Sequence, residues 1–214
     1  MNINALHTQL NRARETVKMV EKYISCLETL DPHRLPVKFE ELSTEAGFQA
    51  EKAACIMRQI IYSSGTTEKI QYLRKVADTM GITVSLQNGI FTVTLPCLLP
   101  KKRGKYSGQF LLDPIIAALE EFTDKNALPK YRDCSICIVH TYNAAPSGRR
   151  FFDYDNLQQK QLLDLIAAYT MVDDNALLCD VHHTSEAGET DETKFFVMAK
   201  NRLPQWLAER ENAT

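Results

Sequence analysis

The residues whose types and spacing could do chemistry lie in one stretch, Asp153-Tyr154-Asp155-Asn156, preceded by Arg149-Arg150 and followed by Val172-Asp173-Asp174, whose last residue is nineteen positions beyond Asp155. In an extended segment alternate side chains share a face, so the reading of 149–156 as extended expects Asp153 and Asp155 to aim both carboxylates at one point. Leu157 to Tyr169 contains no helix breaker and reads as a helix. Thirteen helical residues span about 20 Å, and the residues left over suffice for two short loops. A strand–helix–strand crossover is thus expected to return Asp173 or Asp174 beside Asp155. Crowded carboxylates repel one another, so a buried trio needs a cation, and hard oxygen ligands favour Mg²⁺ or Mn²⁺ over zinc. Such an ion activates water and offsets charge building on a phosphate, which is the chemistry of phosphodiester hydrolysis. The same spacing equally suits a structural role, with Asp155 or Asn156 capping the helix and Asp173-Asp174 in a solvated turn.

Other reactive side chains carry simpler expectations. Cys134-Ser135-Ile136-Cys137 has C-x-x-C spacing, but Ile136, Ile138 and Val139 mark a strand, where residues three apart face opposite ways. The two thiols are therefore expected as small buried hydrophobes. His182-His183 lies near Cys179, yet adjacent strand residues diverge, which disfavours a zinc site. Trp206, in Leu203-Pro204-Gln205-Trp206-Leu207, reads as a docking anchor for the tail.

The elements that must position these groups follow from periodicity. Ala5 to Leu30 carries an amphipathic stripe and ends at Asp31-Pro32. Phe39 to Leu42 and Ala50 to Tyr62 read as helical with Gly47 between them, and Thr67 to Met80 as a helix stopped by Gly81. A helix-turn-helix with Phe48 to Tyr62 as its second helix is one reading, and simple helix packing the other. At Ile82 the texture changes: two β-rich runs, Ile82–Gln87 and Ile90–Leu95, flank Asn88-Gly89, a hairpin signature. A helix over Leu111–Phe122, a strand over Ser135–Tyr142, the helix from Leu157, a strand over Ala176–His182, a polar turn over Ser185–Thr193 and a strand over Lys194–Ala199 complete the chain. The expected class is α/β (α+β), a small mixed sheet packed with helices and preceded by an all-α region. The expected divisions are 1–81, 82–203 and a tail, 204–214.

Composition narrows the setting. A net charge of −2 gives no global signal for nucleic acid. DNA contact would need local patches, and two exist: Lys101-Lys102-Arg103-Gly104-Lys105 and Arg149-Arg150. No apolar run approaches the roughly 18 residues that cross a bilayer, and the start lacks a secretory pattern. Six scattered cysteines fit free thiols in a cytoplasmic protein with no membrane partner.

Residues from about 90 to 203 resemble the RusA family of Holliday-junction resolvases, whose hallmark is R-R-x-D-x-D-N, then a lysine, a helix and a D-D pair. Here these are Arg149-Arg150, Asp153-Tyr154-Asp155-Asn156, Lys160, Asp164 and Asp173-Asp174. Ile90 to Pro96 resembles the family's opening strand ending in Leu-Pro, Ala145-Pro146-Ser147 its proline before the arginines, and Lys194–Ala199 its last strand. The resemblance implies a homodimeric, Mg²⁺-dependent endonuclease that nicks four-way DNA junctions in recombination, repair or a mobile element. It implies Asp153, Asp155 and Asp174 as metal ligands, Asp173 as an assisting neighbour and Lys160 on the scissile phosphate or leaving oxygen. Arg149, Arg150, Lys101, Lys102, Arg103 and Lys105 would hold the DNA backbone, a contact that positions without specifying sequence. The chain departs from the pattern in having three residues, not two, between Asn156 and Lys160, and an added residue in Phe151-Phe152. One extra helical residue would swing Lys160 by about 100° unless it is taken up before the helix starts. A catalytically degenerate RusA-like DNA-binding or protein-interaction module is the alternative expectation.

Overall fold

The computed structural model describes residues 3–65, 68–100, 109–144, 153–173 and 177–211. The chain divides into two compact units, Met1–Tyr72 and Leu73–Thr214.

The first unit holds two long helices, α1 (Ile3–Glu28) and α2 (Pro36–Ser64), packed on one another. The Asp31 carboxylate accepts from the His33 N–H at 2.9 Å, turning the chain between them. Pro36 sits in the first turn of α2, where its missing N–H costs nothing, and Gly65 ends the helix at φ 67°. α2 runs unbroken through Gly47, so no turn separates Phe39 from Tyr62 and the helix-turn-helix placed there does not form. A single glycine costs a helix only about 1 kcal/mol, which the 29-residue element tolerates.

Helix α3 (Lys69–Met80) crosses the division, and its Ala77 is buried in the core of the second unit. The division thus falls inside α3, between Tyr72 and Leu73, where the sequence suggests one after residue 81. Strands β1 (Thr83–Gln87) and β2 (Ile90–Leu95) form the expected hairpin. Asn88 (φ 52°) and Gly89 (φ 72°) both take the positive angles that a two-residue turn of this hand requires. Then follow α4 (Gln109–Lys125), β3 (Cys134–Asn143), α5 (Lys160–Thr170), β4 (Cys179–Gly188), β5 (Glu192–Ala199) and α6 (Leu203–Glu211). The five strands form one mixed sheet in the order β1-β2-β5-β3-β4, with β3 and β4 parallel and the other pairs antiparallel. The fold is α+β, a helical region followed by a mixed sheet with its helices.

Alternation along the strands sorts the two faces. Phe91, Val93, Leu95, Ile136, Ile138, Phe195 and Val197 join α4 (Ile115, Leu119) and α5 (Leu162, Ile166) in the main core. Cys137, Val139 and Met198 form a smaller core on the other face with Trp206 of α6. The parallel β3–α5–β4 crossover is the unit that carries the acidic motif.

Candidate functional site

Within the crossover, Tyr154–Asn156 is one turn of 3₁₀ helix, with extended Asp153 as its cap residue and the Asn156 N–H donating to the Asp153 carbonyl at 3.0 Å. This corrects the extended reading. At three residues per turn, a two-residue step no longer returns side chains to one face. Asp153 and Asp155 are both exposed and flank Tyr154, but they do not share a strand face.

The aromatic ring between them fixes this turn to the sheet. Tyr154 stacks on His183 (centroids 4.9 Å apart) and on His140 (5.6 Å), and its hydroxyl lies 3.0 Å from Ser185 Oγ. His140 and Ser185 face each other in the register of β3 and β4, and His183 precedes Ser185 by two residues on the same face, so the acidic turn is held over the middle of the two parallel strands. Burial, and then the neighbouring His183, push the His140 pKa down to about 4. Burial, and then His182, lower that of His183. His140 therefore stays neutral near pH 7, as a buried imidazole without a counter-charge should. His140 Nδ1 lies 3.4 Å from Thr193 Oγ1, while His140 Nε2 and His183 Nδ1 are buried with no hydrogen-bond partner among the described residues.

Leu157 is buried and extended, the Gln158 N–H donates to the Pro100 carbonyl at 2.8 Å, and Gln159, in the αR region, is the cap residue of α5, which begins at Lys160. All three residues between Asn156 and Lys160 thus precede the helix. Lys160 and Asp164 remain four apart on one exposed helical face.

The far end of α5 is a different place. The Met171 N–H closes the helix, Met171 bridges to Tyr131, and the Val172 N–H donates to the Tyr131 carbonyl at 3.0 Å. Asp173 follows, exposed, in an open cleft of about 640 Å³ lined also by Lys130, Asp164 and Met171. The eleven residues of α5, about 16 Å of helix, stand between Asp155 and Asp173. The crossover exists, but it delivers Asp173 to the amino end of β3 rather than to Asp155, because a helix returning to start a parallel strand must run the length of the sheet. Asp174 lies outside the described residues, as do Lys101, Lys102, Arg103, Lys105, Arg149 and Arg150. Among the described residues, no group of three or more His, Cys, Asp or Glu side chains could share a metal ion. What the turn offers is two exposed carboxylates on either side of Tyr154.

A family model described as a family of unknown function, DUF6100, matches residues 2–214. The chain belongs to the DUF6100 family. No curated protein matches it.

Elsewhere in this DUF6100 chain, the side chains weighed as metal ligands have structural surroundings. Cys134 and Cys137 lie in separate cores on opposite faces, and burial pushes their thiols up to about 12 and about 11. His182 is exposed and His183 half-buried on alternate faces of β4. Trp206 is buried against Phe196, centroids 5.0 Å apart, with the Arg210 guanidinium over its ring, the anchoring role expected of it. The histidine–tyrosine stack was not foreseen. Its sole signal in the sequence is an aromatic residue between two aspartates, and the partners of that ring come from strands far along the chain.

Proposed function

We propose that the second unit is a RusA-like domain acting on branched DNA as a Mg²⁺-dependent endonuclease of Holliday-junction-resolvase type, serving recombination, repair or a mobile element. The observation that carries this reading is the exposed Asp153–Asp155 turn, anchored by Tyr154 to the parallel strand pair and followed by an exposed Lys160 at the start of α5. In this reading Asp153 and Asp155 hold the ion, with waters and a substrate phosphate completing its shell, and Asp174, which follows directly on Asp173 beyond the far end of α5, is not called on. The ion supplies Lewis acidity and an activated water. Lys160 neutralises charge on the scissile phosphate, and the 101–105 and 149–150 basic runs hold the backbone of a four-way junction. A homodimer would match the two-fold substrate.

A second reading, a catalytically degenerate DNA-binding or interaction module, is favoured by the placement of Asp173 one helix-length from the acidic turn. The two separate on a labelled four-way junction with and without Mg²⁺. The endonuclease reading expects symmetric nicks that need Mg²⁺ and vanish in Asp155→Asn. Retained junction binding without any nicking establishes the module, and neither binding nor nicking removes both.

A further inference from the structure

Helix α1 carries more apolar surface than α2 covers. Its buried and half-buried positions, among them Leu6, Ala13, Thr16, Val20 and Leu27, recur at steps of three and four and form the face turned to α2. A second apolar row runs beside it: Ile3, Leu10, Val17 and Ile24, spaced by exactly seven residues and exposed at 70, 38, 54 and 48%. Seven residues fall only about 20° short of two full turns, so the row stays on one edge along the helix. Three of its four members are β-branched, as in the seam of a helical pair. Nothing in the chemistry of α1 alone requires a heptad of exposed aliphatics.

Charge selects the occupant. Four residues beyond each member of the row, and hence beside it on the surface, stand His7, Arg14, Glu21 and Glu28, all exposed and none ion-paired among the described residues. The flank is basic or neutral in its first half and acidic in its second. A parallel second copy would set Arg14 against the partner's Arg14 and Glu21 against the partner's Glu21. An antiparallel copy, related by a two-fold axis beside Val17, sets Arg14 against the partner's Glu21 and His7 against the partner's Glu28, twice over by symmetry. The same axis brings Leu10 alongside the partner's Ile24. The edge is complementary to itself in one orientation.

We propose that two copies of this chain associate through α1, antiparallel along the Ile3–Leu10–Val17–Ile24 edge, so that two α1–α2 hairpins form a four-helix assembly. This contact lies outside residues 90–203, which carry the resolvase resemblance, and stands whether or not that reading holds.

The test is sedimentation equilibrium of the full chain at tens of micromolar, with circular dichroism to confirm folding. The wild type is expected to be dimeric. Arg14→Glu and Glu21→Arg each place like charges in both symmetry-related pairs and should weaken association at least about tenfold. Val17→Lys should weaken it further. The Arg14→Glu/Glu21→Arg double variant recreates the pairs with signs exchanged and should recover wild-type association. A monomeric wild type overturns the proposal. So does a dimer indifferent to all three substitutions, whose contact must lie elsewhere, and so does a folded double variant that is no better associated than the single ones.

Discussion

The Tyr154 ring lies 4.9 Å, centroid to centroid, from His183 of β4, and this contact ties the turn bearing Asp153 and Asp155 to the sheet. Stacked aromatic pairs contribute about 0.5–1.5 kcal/mol beyond their buried area. Tyr154→Ala is therefore expected to destabilise the second unit by about 2–4 kcal/mol in urea titrations, through lost burial as well as stacking. Tyr154→Phe keeps the ring, loses only the contact with Ser185 Oγ, and should cost about 1 kcal/mol. If the two variants prove equally mild, the ring is not the anchor.

His140 makes stability depend on acid. Its pKa is depressed to about 4 in the folded chain, against about 6.5 when unfolded, so between those values the unfolded state binds a proton that the folded state refuses. Stability is full above about pH 6.5 and declines as pH falls towards 4, by at most about 1.4 kcal/mol per pH unit for this group. The lowered pKa of His183 acts in the same direction. Urea midpoints at pH 7, 5.5 and 4.5 should show the decline, and His140→Leu should flatten it. An unchanged slope in that variant would assign the acid sensitivity to other groups.

Gly188 pairs with Asn143 at the end of the parallel ladder, and a Cβ built there would lie 2.4 Å from Thr141 Cγ2. Gly188→Ala must therefore rotate Thr141 and break its hydrogen bond to Glu186 Oε1, 2.9 Å long in the native chain. A loss of about 1–3 kcal/mol is expected, as for other overpacked sites. Thr141→Ser removes the offending methyl and keeps the hydroxyl, so Gly188→Ala/Thr141→Ser should melt above Gly188→Ala alone. The absence of such rescue in thermal melts would mean that the clash is relieved elsewhere.

Much of the architecture is legible in local chemistry, and its failures have local causes. Asn88-Gly89 announces the hairpin because few other residues accept two successive positive φ angles. Cys134 and Cys137 separate as strand alternation requires. Gly47 misleads because its cost is small beside the 29 residues around it. Leu157-Gln158-Gln159 has helical propensity, yet the Gln158 N–H is claimed by Pro100, a partner nearly sixty residues away. β4 runs on to Gly188 through Ser185 and Glu186, where polar side chains suggest a turn. Among the described strands it lies at an edge of the sheet, paired with β3 alone, so polar residues can stay in water. The acidic pair was legible as a pair, but its geometry was not: an alternating D-x-D is equally at home in a strand or in a single 3₁₀ turn. The position of Asp173 depends on which end of the sheet the returning helix reaches, and carboxylate spacing carries no information about that.

Binding of a divalent ion at the Asp153–Asp155 turn can be read with Mn²⁺ in place of Mg²⁺, as paramagnetic broadening of backbone amide signals. Signals of Asp153 to Asn156 and of His183 are expected to broaden at Mn²⁺ concentrations that leave Lys130 and Asp173 sharp, and Asp155→Asn should abolish the effect. Broadening confined to the Asp164–Asp173 cleft, or broadening at the turn that Asp155→Asn leaves untouched, would contradict it.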